Sequence, residues 1–169
     1  MKYIHHYLSP LGPITTASDG ENLTGLWFDG QKYFPSDIGE EQSEDLSPVL
    51  ELTDRWLDLY FSGRIPDFIP QLSPSGSAFC KSVWDILLTI PYGKRMTYGQ
   101  IAKQIAEQKG LKRMSAQAVG GAVGHNPISL IIPCHRVVGA DGSLTGYAAG
   151  LERKALLLKM ESVRTQAAI

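Results

Sequence analysis

The sequence predicts an α+β protein: a small N-terminal antiparallel sheet with one helix, followed by a mainly helical C-terminal half. Strand-like segments separated by turn residues come first, and later segments repeat their apolar residues with helical spacing. The charge divides at the same place, because residues 1–75 carry a net charge of −8 and residues 76–169 carry +7. We therefore predict two domains, an N-terminal domain over residues 1–75 and a C-terminal domain over residues 76–169.

The N-terminal elements are defined by their turns. The sequences SPLGP at residues 9–13 and DGEN at residues 19–22 are rich in turn-forming residues, so the segments around them predict an antiparallel meander. The predicted strands are residues 3–8, 14–18 and 23–29. A polar loop over residues 30–47, a helix over residues 48–62 and a proline-rich connection follow.

The C-terminal elements are mainly helices with recognisable caps. Thr97 with Gln100 three residues later has the spacing of a capping box, and Ser115 is a candidate N-cap for a second short helix. These two helices predict a helix-turn-helix. The predicted helices are residues 77–89, 97–109, 116–123 and 151–163. An apolar run at residues 128–132 leads to Cys134, and a turn at 139–142 and a loop at 145–150 follow.

Composition narrows the class of protein. Hydrophobic residues make up 43% of the chain and charged residues 20%, which is typical of a globular protein. No apolar run reaches the roughly 18 residues that a membrane span requires. The N-terminus lacks the apolar core of a signal peptide, so we expect a cytoplasmic protein without membrane association. We expect Cys80 and Cys134 to be free thiols, and no His or Cys spacing predicts a metal site.

Cys134 is the candidate reactive residue of the chain. It stands in Pro133-Cys134-His135-Arg136 after the apolar run. A cysteine in such a context is often an inert core residue, whereas a neighbouring histidine also fits an activated thiolate. The positive C-terminal half fits a polyanionic partner, although a chance charge distribution with a solvated acidic loop would look the same. These residues alone leave both pairs of alternatives open.

A wider set of motifs resembles the O6-alkylguanine-DNA alkyltransferase family, whose members are methylated-DNA–protein-cysteine methyltransferases. The centre of the resemblance is IPCHRVV at residues 132–138, and it is strong over residues 77–163 and weaker over residues 1–75. The other matching motifs, in the family's order, are SPLG at 9–12, IPYG at 90–93, TYGQ at 97–100, AVGGA at 118–122, Asn126-Pro127, Gly146-Tyr147 and Glu161.

The resemblance implies a ribonuclease H-like N-terminal domain and a winged helix-turn-helix C-terminal domain. It implies DNA repair by one stoichiometric, self-inactivating transfer of an alkyl group from O6-alkylguanine to Cys134, with O4-alkylthymine as a second candidate lesion. The partner is double-stranded DNA, the protein acts as a monomer, and no cofactor is needed. Because the lesion lies inside a duplex, the damaged base must be flipped into a pocket.

The resemblance also assigns roles in catalysis. His135, oriented by Glu161, takes the thiol proton of Cys134 through a bound water. The hydroxyl of Tyr147 faces N3 of the purine and stabilises the departing guanine, while backbone groups near Val137 read its edge. Asn126 is the hinge that joins the DNA-contacting helix to the active-site strand.

A second set of residues is assigned to DNA contact. Tyr98 crowds the phosphate beside the flipped nucleotide, and the small residues Ala118 and Gly120 let their helix approach the minor groove. Lys94 and Arg95 are candidates for phosphate contacts, and Arg136 is either structural or phosphate-facing. Gln117 departs from the family, because many members place there an arginine that fills the space of the flipped base. The segment between Tyr98 and Gln117 is also longer than in compact members, which puts contacts by its basic residues in doubt: Lys109, Lys112 and Arg113.

Two other classes of function compete. An alkyltransferase-like damage marker or a winged helix-turn-helix regulator would bind DNA and transfer nothing, but such non-transferring relatives lack the cysteine that this chain has at 134. A Cys-His hydrolase would need an oxyanion hole, for which the sequence carries no separate signal.

Overall fold

The computed structural model describes residues 2–36, 42–43 and 46–167, and of residues 42–43 and 164–167 it describes only the backbone. The described residues form two compact units, one within Met1–Ser75 together with Pro127–Ser129, and one within Gly76–Asn126 together with Leu130–Ile169. The first contains a small sheet and a helix and the second is mainly helical, which confirms the predicted α+β class. Among the described helices, none is long and apolar enough to cross a membrane.

The first unit is a strand meander covered by a helix. Strands β1 (Lys2–Ser9), β2 (Gly12–Ser18) and β3 (Leu23–Phe28) pair antiparallel, as the turns predict. Helix α1 (Pro48–Phe61) packs on the sheet through its apolar side, where Leu50, Leu57 and Tyr60 are fully buried.

The polar loop predicted over residues 30–47 is wrong at two positions. Strand β4 (Gln42–Ser43) pairs parallel with β1 at the edge of the sheet. Two polar residues are too few to show an alternating pattern, so the sequence carries no signal for this strand. Residues 30–36 and 46–47 form neither a strand nor a helix, as predicted, and positions 37–41 and 44–45 lie outside the described residues.

Capping residues set the helices of the second unit. Helix α2 (Ala78–Leu87) begins after Ser77, whose side chain accepts a hydrogen bond from the Cys80 amide. Helix α3 (Tyr98–Lys109) begins with the predicted capping box of Thr97 and Gln100 and ends at Gly110, whose φ of 66° is left-handed. Helix α4 (Ala116–Gly124) has Ser115 as N-cap, and the Trp84 indole donates to the Ala122 carbonyl at 2.9 Å, which fastens α4 to α2.

The cysteine lies on a turn and not on the active-site strand that the family resemblance implies. A single 3-10 turn, Cys134–Arg136, leads into strand β6 (Val137–Val138), which pairs parallel with β5 (Met96–Thr97). The apolar residues before it are buried without forming a strand, and Leu130 adopts a positive φ of 70°. A short apolar run shows that a segment is buried but does not show whether it forms a strand. Helix α5 (Leu151–Ala167) closes the unit and is longer than predicted.

Candidate active site

Cys134 is a buried, protonated thiol. Cys134 is 5% exposed, and burial raises the pKa of its thiol. A hydrogen bond from Asn126 and the positive charge of Lys154 oppose this effect. Asn126 also donates through Nδ2 to the Ile132 carbonyl at 2.7 Å, so it holds the chain on both sides of Pro133. The thiol must therefore lose its proton before it can act as a nucleophile.

His135 and Glu161 form a buried hydrogen-bonded pair. Nε2 of His135 lies 2.6 Å from Oε2 of Glu161, and the two side chains are 0% and 1% exposed. Burial lowers the pKa of His135, and the Glu161 hydrogen bond only partly opposes this effect. Burial alone would raise the pKa of Glu161, but hydrogen bonds and charges from His135 and Arg136 lower it well below its usual range. The pair therefore holds a carboxylate beside a neutral imidazole, which is the state that a proton acceptor requires.

Arg136 is directed at Glu161. Its Nε and Nη2 lie 2.7 Å and 3.1 Å from the two oxygens of Glu161, and Nη1 donates to the Ile90 carbonyl at 2.8 Å. The guanidinium also lies 5.6 Å from the ring centroid of Tyr92. From the sequence, Arg136 was expected to be either structural or in contact with a DNA phosphate. This placement favours the structural role.

Lys154 is a site residue that the sequence analysis missed. It is fully buried, and its Nζ donates to the carbonyls of Thr145 at 3.0 Å and Gly146 at 3.1 Å. Burial lowers its pKa to about 8, although the charge of Cys134 opposes this shift. A signal existed, because Lys154 and Glu161 stand at i and i+7 on the stripe of α5 that also carries buried Leu157 and Leu158. Charged residues on an apolar stripe are rarely buried without a partner.

Two tyrosines lie near the thiol. The Tyr147 hydroxyl is buried and has no hydrogen-bond partner among the described residues, and burial raises its pKa well above the usual value. The Tyr98 hydroxyl donates to the Thr145 carbonyl at 2.8 Å. A Cβ built on Gly120 would lie 3.8 Å from the Tyr98 ring, so α4 passes close beside that ring. Burial raises the pKa of both tyrosines, and a negative charge on ionised Cys134 would raise it further.

The candidate DNA-contacting residues are exposed on the same unit. Gln117 and Ala118 lie on the exposed face of the first turn of α4, and Val119 behind them is fully buried. Lys94 and Arg95 are exposed in the segment that precedes β5. Lys109 lies with its ammonium 5.2 Å from the ring centroid of Phe79, which gives it a contact within the unit. The structure thus separates an exposed basic and small-residue surface from the buried site around Cys134.

This fold and site together define a class: a helix-turn-helix unit that carries a buried thiol beside an imidazole–carboxylate pair. Residues 78–163 match the family model "6-O-methylguanine DNA methyltransferase, DNA binding domain", and residues 2–73 match "6-O-methylguanine DNA methyltransferase, ribonuclease-like domain". The chain belongs to the 6-O-methylguanine DNA methyltransferase family, which confirms the resemblance inferred from its motifs.

Individual relatives agree with this membership. The chain is 42% identical over 163 residues to a methylated-DNA–protein-cysteine methyltransferase of Haemophilus influenzae, an alignment that covers 95% of this chain and 87% of the relative. It is 44% identical over 159 residues to the protein of that name from Mycobacterium tuberculosis, covering 94% and 92% of the two chains. The crystal structure of Mycobacterium tuberculosis OGT in complex with DNA superposes with a TM-score of 0.83 at 40% identity, covering 96% and 94%.

Proposed function

We propose that the protein repairs alkylated DNA directly, by transferring the alkyl group of O6-alkylguanine to Cys134 in one self-inactivating step. The observation that carries the proposal is the buried Cys134 thiol next to His135, whose ring is held by Glu161 at 2.6 Å. Relatives of more than 40% identity are methylated-DNA–protein-cysteine methyltransferases, which supports the same reaction. O4-alkylthymine is a second candidate substrate.

The proposed step is a displacement at carbon. The sulfur of Cys134 forms a bond to the alkyl carbon as the bond from that carbon to guanine O6 breaks. The thiol proton passes to the neutral imidazole of His135, whose orientation the Glu161 carboxylate fixes. The Tyr147 hydroxyl, which stays protonated because burial raises its pKa, donates to the departing purine. The departing guanine anion takes up a proton and the His135 imidazolium releases one, so the products are unmodified guanine, an S-alkylcysteine and a neutral imidazole.

The proposed partner is one duplex per protein monomer. Helix α4 enters the minor groove, where the small side chains of Ala118 and Gly120 permit close approach, and Lys94 and Arg95 contact phosphates. The damaged base is flipped out of the duplex toward Cys134, past Tyr98 at its phosphate. Because the substrate is cellular DNA, the protein would work in the cytoplasm or at the nucleoid.

Intact-mass measurement tests the proposed function. After the protein is mixed with an excess of duplex containing O6-methylguanine, its mass should rise once by about 14 Da, because the thiol is consumed in the reaction. Peptide mapping should place the added methyl group on Cys134. Repeated turnover on excess DNA, or a methyl group on Cys80, would show that the single-acceptor mechanism is incorrect.

Gln117 offers a test of base flipping. We propose that its exposed side chain on α4 occupies the space that the flipped base leaves and bonds the orphaned cytosine. A neutral hydrogen bond contributes roughly 0.5–1.5 kcal/mol net. Gln117→Ala should therefore slow transfer from duplex DNA by about an order of magnitude, since 1.4 kcal/mol is tenfold. Single-turnover rates on methylated duplex measure this effect.

The free alkylated base is the matched control for Gln117. Its reaction needs no flipping, so Gln117→Ala should leave its rate nearly unchanged, and Gln117→Arg should be tolerated or faster on duplex. Equal slowing on both substrates would assign Gln117 to the stability of the fold, and no slowing on either would remove it from the mechanism.

A further inference from the structure

The Glu161 carboxylate accepts hydrogen bonds from two side chains that can carry a positive charge, His135 and Arg136. Oε2 accepts from His135 Nε2 at 2.6 Å and from Arg136 Nη2 at 3.1 Å, while Oε1 accepts from Arg136 Nε at 2.7 Å and the Gly93 amide at 3.3 Å. All three side chains are at most 10% exposed. Water therefore does little to screen their charges from one another.

The charges of this cluster can be counted. A guanidinium remains protonated in proteins, so Arg136 and the Glu161 carboxylate already form a neutral pair. A proton on His135 taken from solvent would leave a buried net charge of +1. A buried charge without compensation is strongly unfavourable. The charge of Lys154 also disfavours a proton on His135.

A proton taken from Cys134 gives a different count. The thiolate left behind supplies the negative charge that balances an imidazolium, so the net charge of the site does not change. Protonation of His135 is then favourable together with deprotonation of the thiol and unfavourable without it.

We propose that Arg136 is a positioning residue that acts through Glu161: it fixes the carboxylate and neutralises it, so that His135 stays uncharged until it receives the proton of Cys134. This inference rests on the proposed function only in taking His135 as the base. The geometry also ties Arg136 to the connection between α2 and β5, through the Ile90 carbonyl and the Tyr92 ring, which explains how the guanidinium is held in place. The lowered pKa of His135, which follows from burial and to which the Arg136 charge contributes, agrees with this count.

Two substitutions separate charge from geometry. Arg136→Lys keeps the positive charge and loses the two-point contact, whereas Arg136→Gln keeps a hydrogen-bond donor and loses the charge. Single-turnover transfer from O6-methylguanine duplex is measured for both variants and wild type between pH 5 and 9. In Arg136→Gln, Glu161 is left to balance His135 alone. The acidic limb of the pH–rate profile of Arg136→Gln should therefore move upward by at least about one pH unit, since a neighbouring charge shifts a pKa by about 1–3 units.

Arg136→Lys is the control that shows whether a shift comes from the lost charge or from the lost contact geometry. Arg136→Lys should keep the acidic limb of wild type even where its rate is lower. A uniform loss of rate in Arg136→Gln with an unmoved limb, or the same shift in both variants, would reduce Arg136 to a structural role and overturn the proposal.

A measurement that needs no Arg136 variant covers the case in which Arg136→Gln does not fold. The chain has four histidines, and NMR of their rings can identify His135 by comparison with His135→Gln. The His135 ring should be neutral at pH 7, with its proton on Nε2, and should titrate below the usual pKa of about 6.5. An imidazolium at pH 7 would overturn the proposal. This result is independent of transfer, so an inactive wild-type protein would refute the proposed function without deciding the charge state of His135.

Discussion

Replacement of Cys134 by serine is expected to abolish alkyl transfer and to leave duplex binding unchanged. Displacement at an alkyl carbon needs an ionised nucleophile, and a serine hydroxyl has a far higher pKa than a thiol. The oxygen is close to the sulfur in size, so the buried turn at Cys134–Arg136 should keep its conformation. Intact mass after incubation with methylated duplex should show no addition, while fluorescence anisotropy should give the wild-type affinity for undamaged DNA.

The second cysteine is the control for this experiment. Cys80 is a half-buried free thiol in the first turn of α2, outside the cluster around His135. Cys80→Ser should transfer at the wild-type rate. Transfer by Cys134→Ser, or its loss in Cys80→Ser, would contradict the assignment of Cys134 as the acceptor.

Removal of the Glu161 carboxylate should produce the largest loss of stability among substitutions in the site. Glu161→Gln leaves the buried Arg136 guanidinium without its counterion. Breaking a buried ion pair by removing one partner costs about 3–5 kcal/mol. Urea unfolding at pH 7 should show a decrease in the free energy of unfolding of that size. Glu107, an exposed glutamate on α3, provides the control, and Glu107→Gln should change it by less than about 0.5 kcal/mol.

The pH dependence gives this prediction a sign. The pKa of Glu161 is lower in the folded protein than in the unfolded chain, so its stabilising effect is complete above the unfolded value of about 4.3 and is lost as the pH falls below it. The difference between wild type and Glu161→Gln should be constant near neutral pH and should shrink in acid. A difference that grows in acid would mean that Glu161 is protonated in the folded protein.

Local signals in the sequence determined much of the fold. The capping box of Thr97 and Gln100 and the left-handed Gly110 marked both ends of α3, because their effects depend on residues within one turn. The approach to Cys134 carried no such signal. Leu130 takes a positive φ that its own side chain disfavours, so packing of the surrounding unit imposes that turn.

The site was predictable where motifs and spacing were informative. Cys134, His135 and Glu161 were assigned through the resemblance to the family, and the structure brings the latter two within hydrogen-bond distance. The partners of Arg136 were not predictable, because its contacts join segments that are distant in the sequence. Arg136 bonds the carbonyl of Ile90, 46 positions away, and no local pattern encodes such a contact.

The hydrogen bond from Trp84 to Ala122 has a spectroscopic consequence. Of the three tryptophans in the chain, Trp27 and Trp56 belong to the sheet-containing unit, and Trp84 is the one in the helical unit. Its indole N–H ends on a carbonyl of α4, the helix proposed to enter the minor groove. The Trp84 indole proton resonance is therefore an intrinsic reporter of the position of α4. Binding of a duplex can be followed through that one signal, without a label, while the indoles of Trp27 and Trp56 serve as internal references.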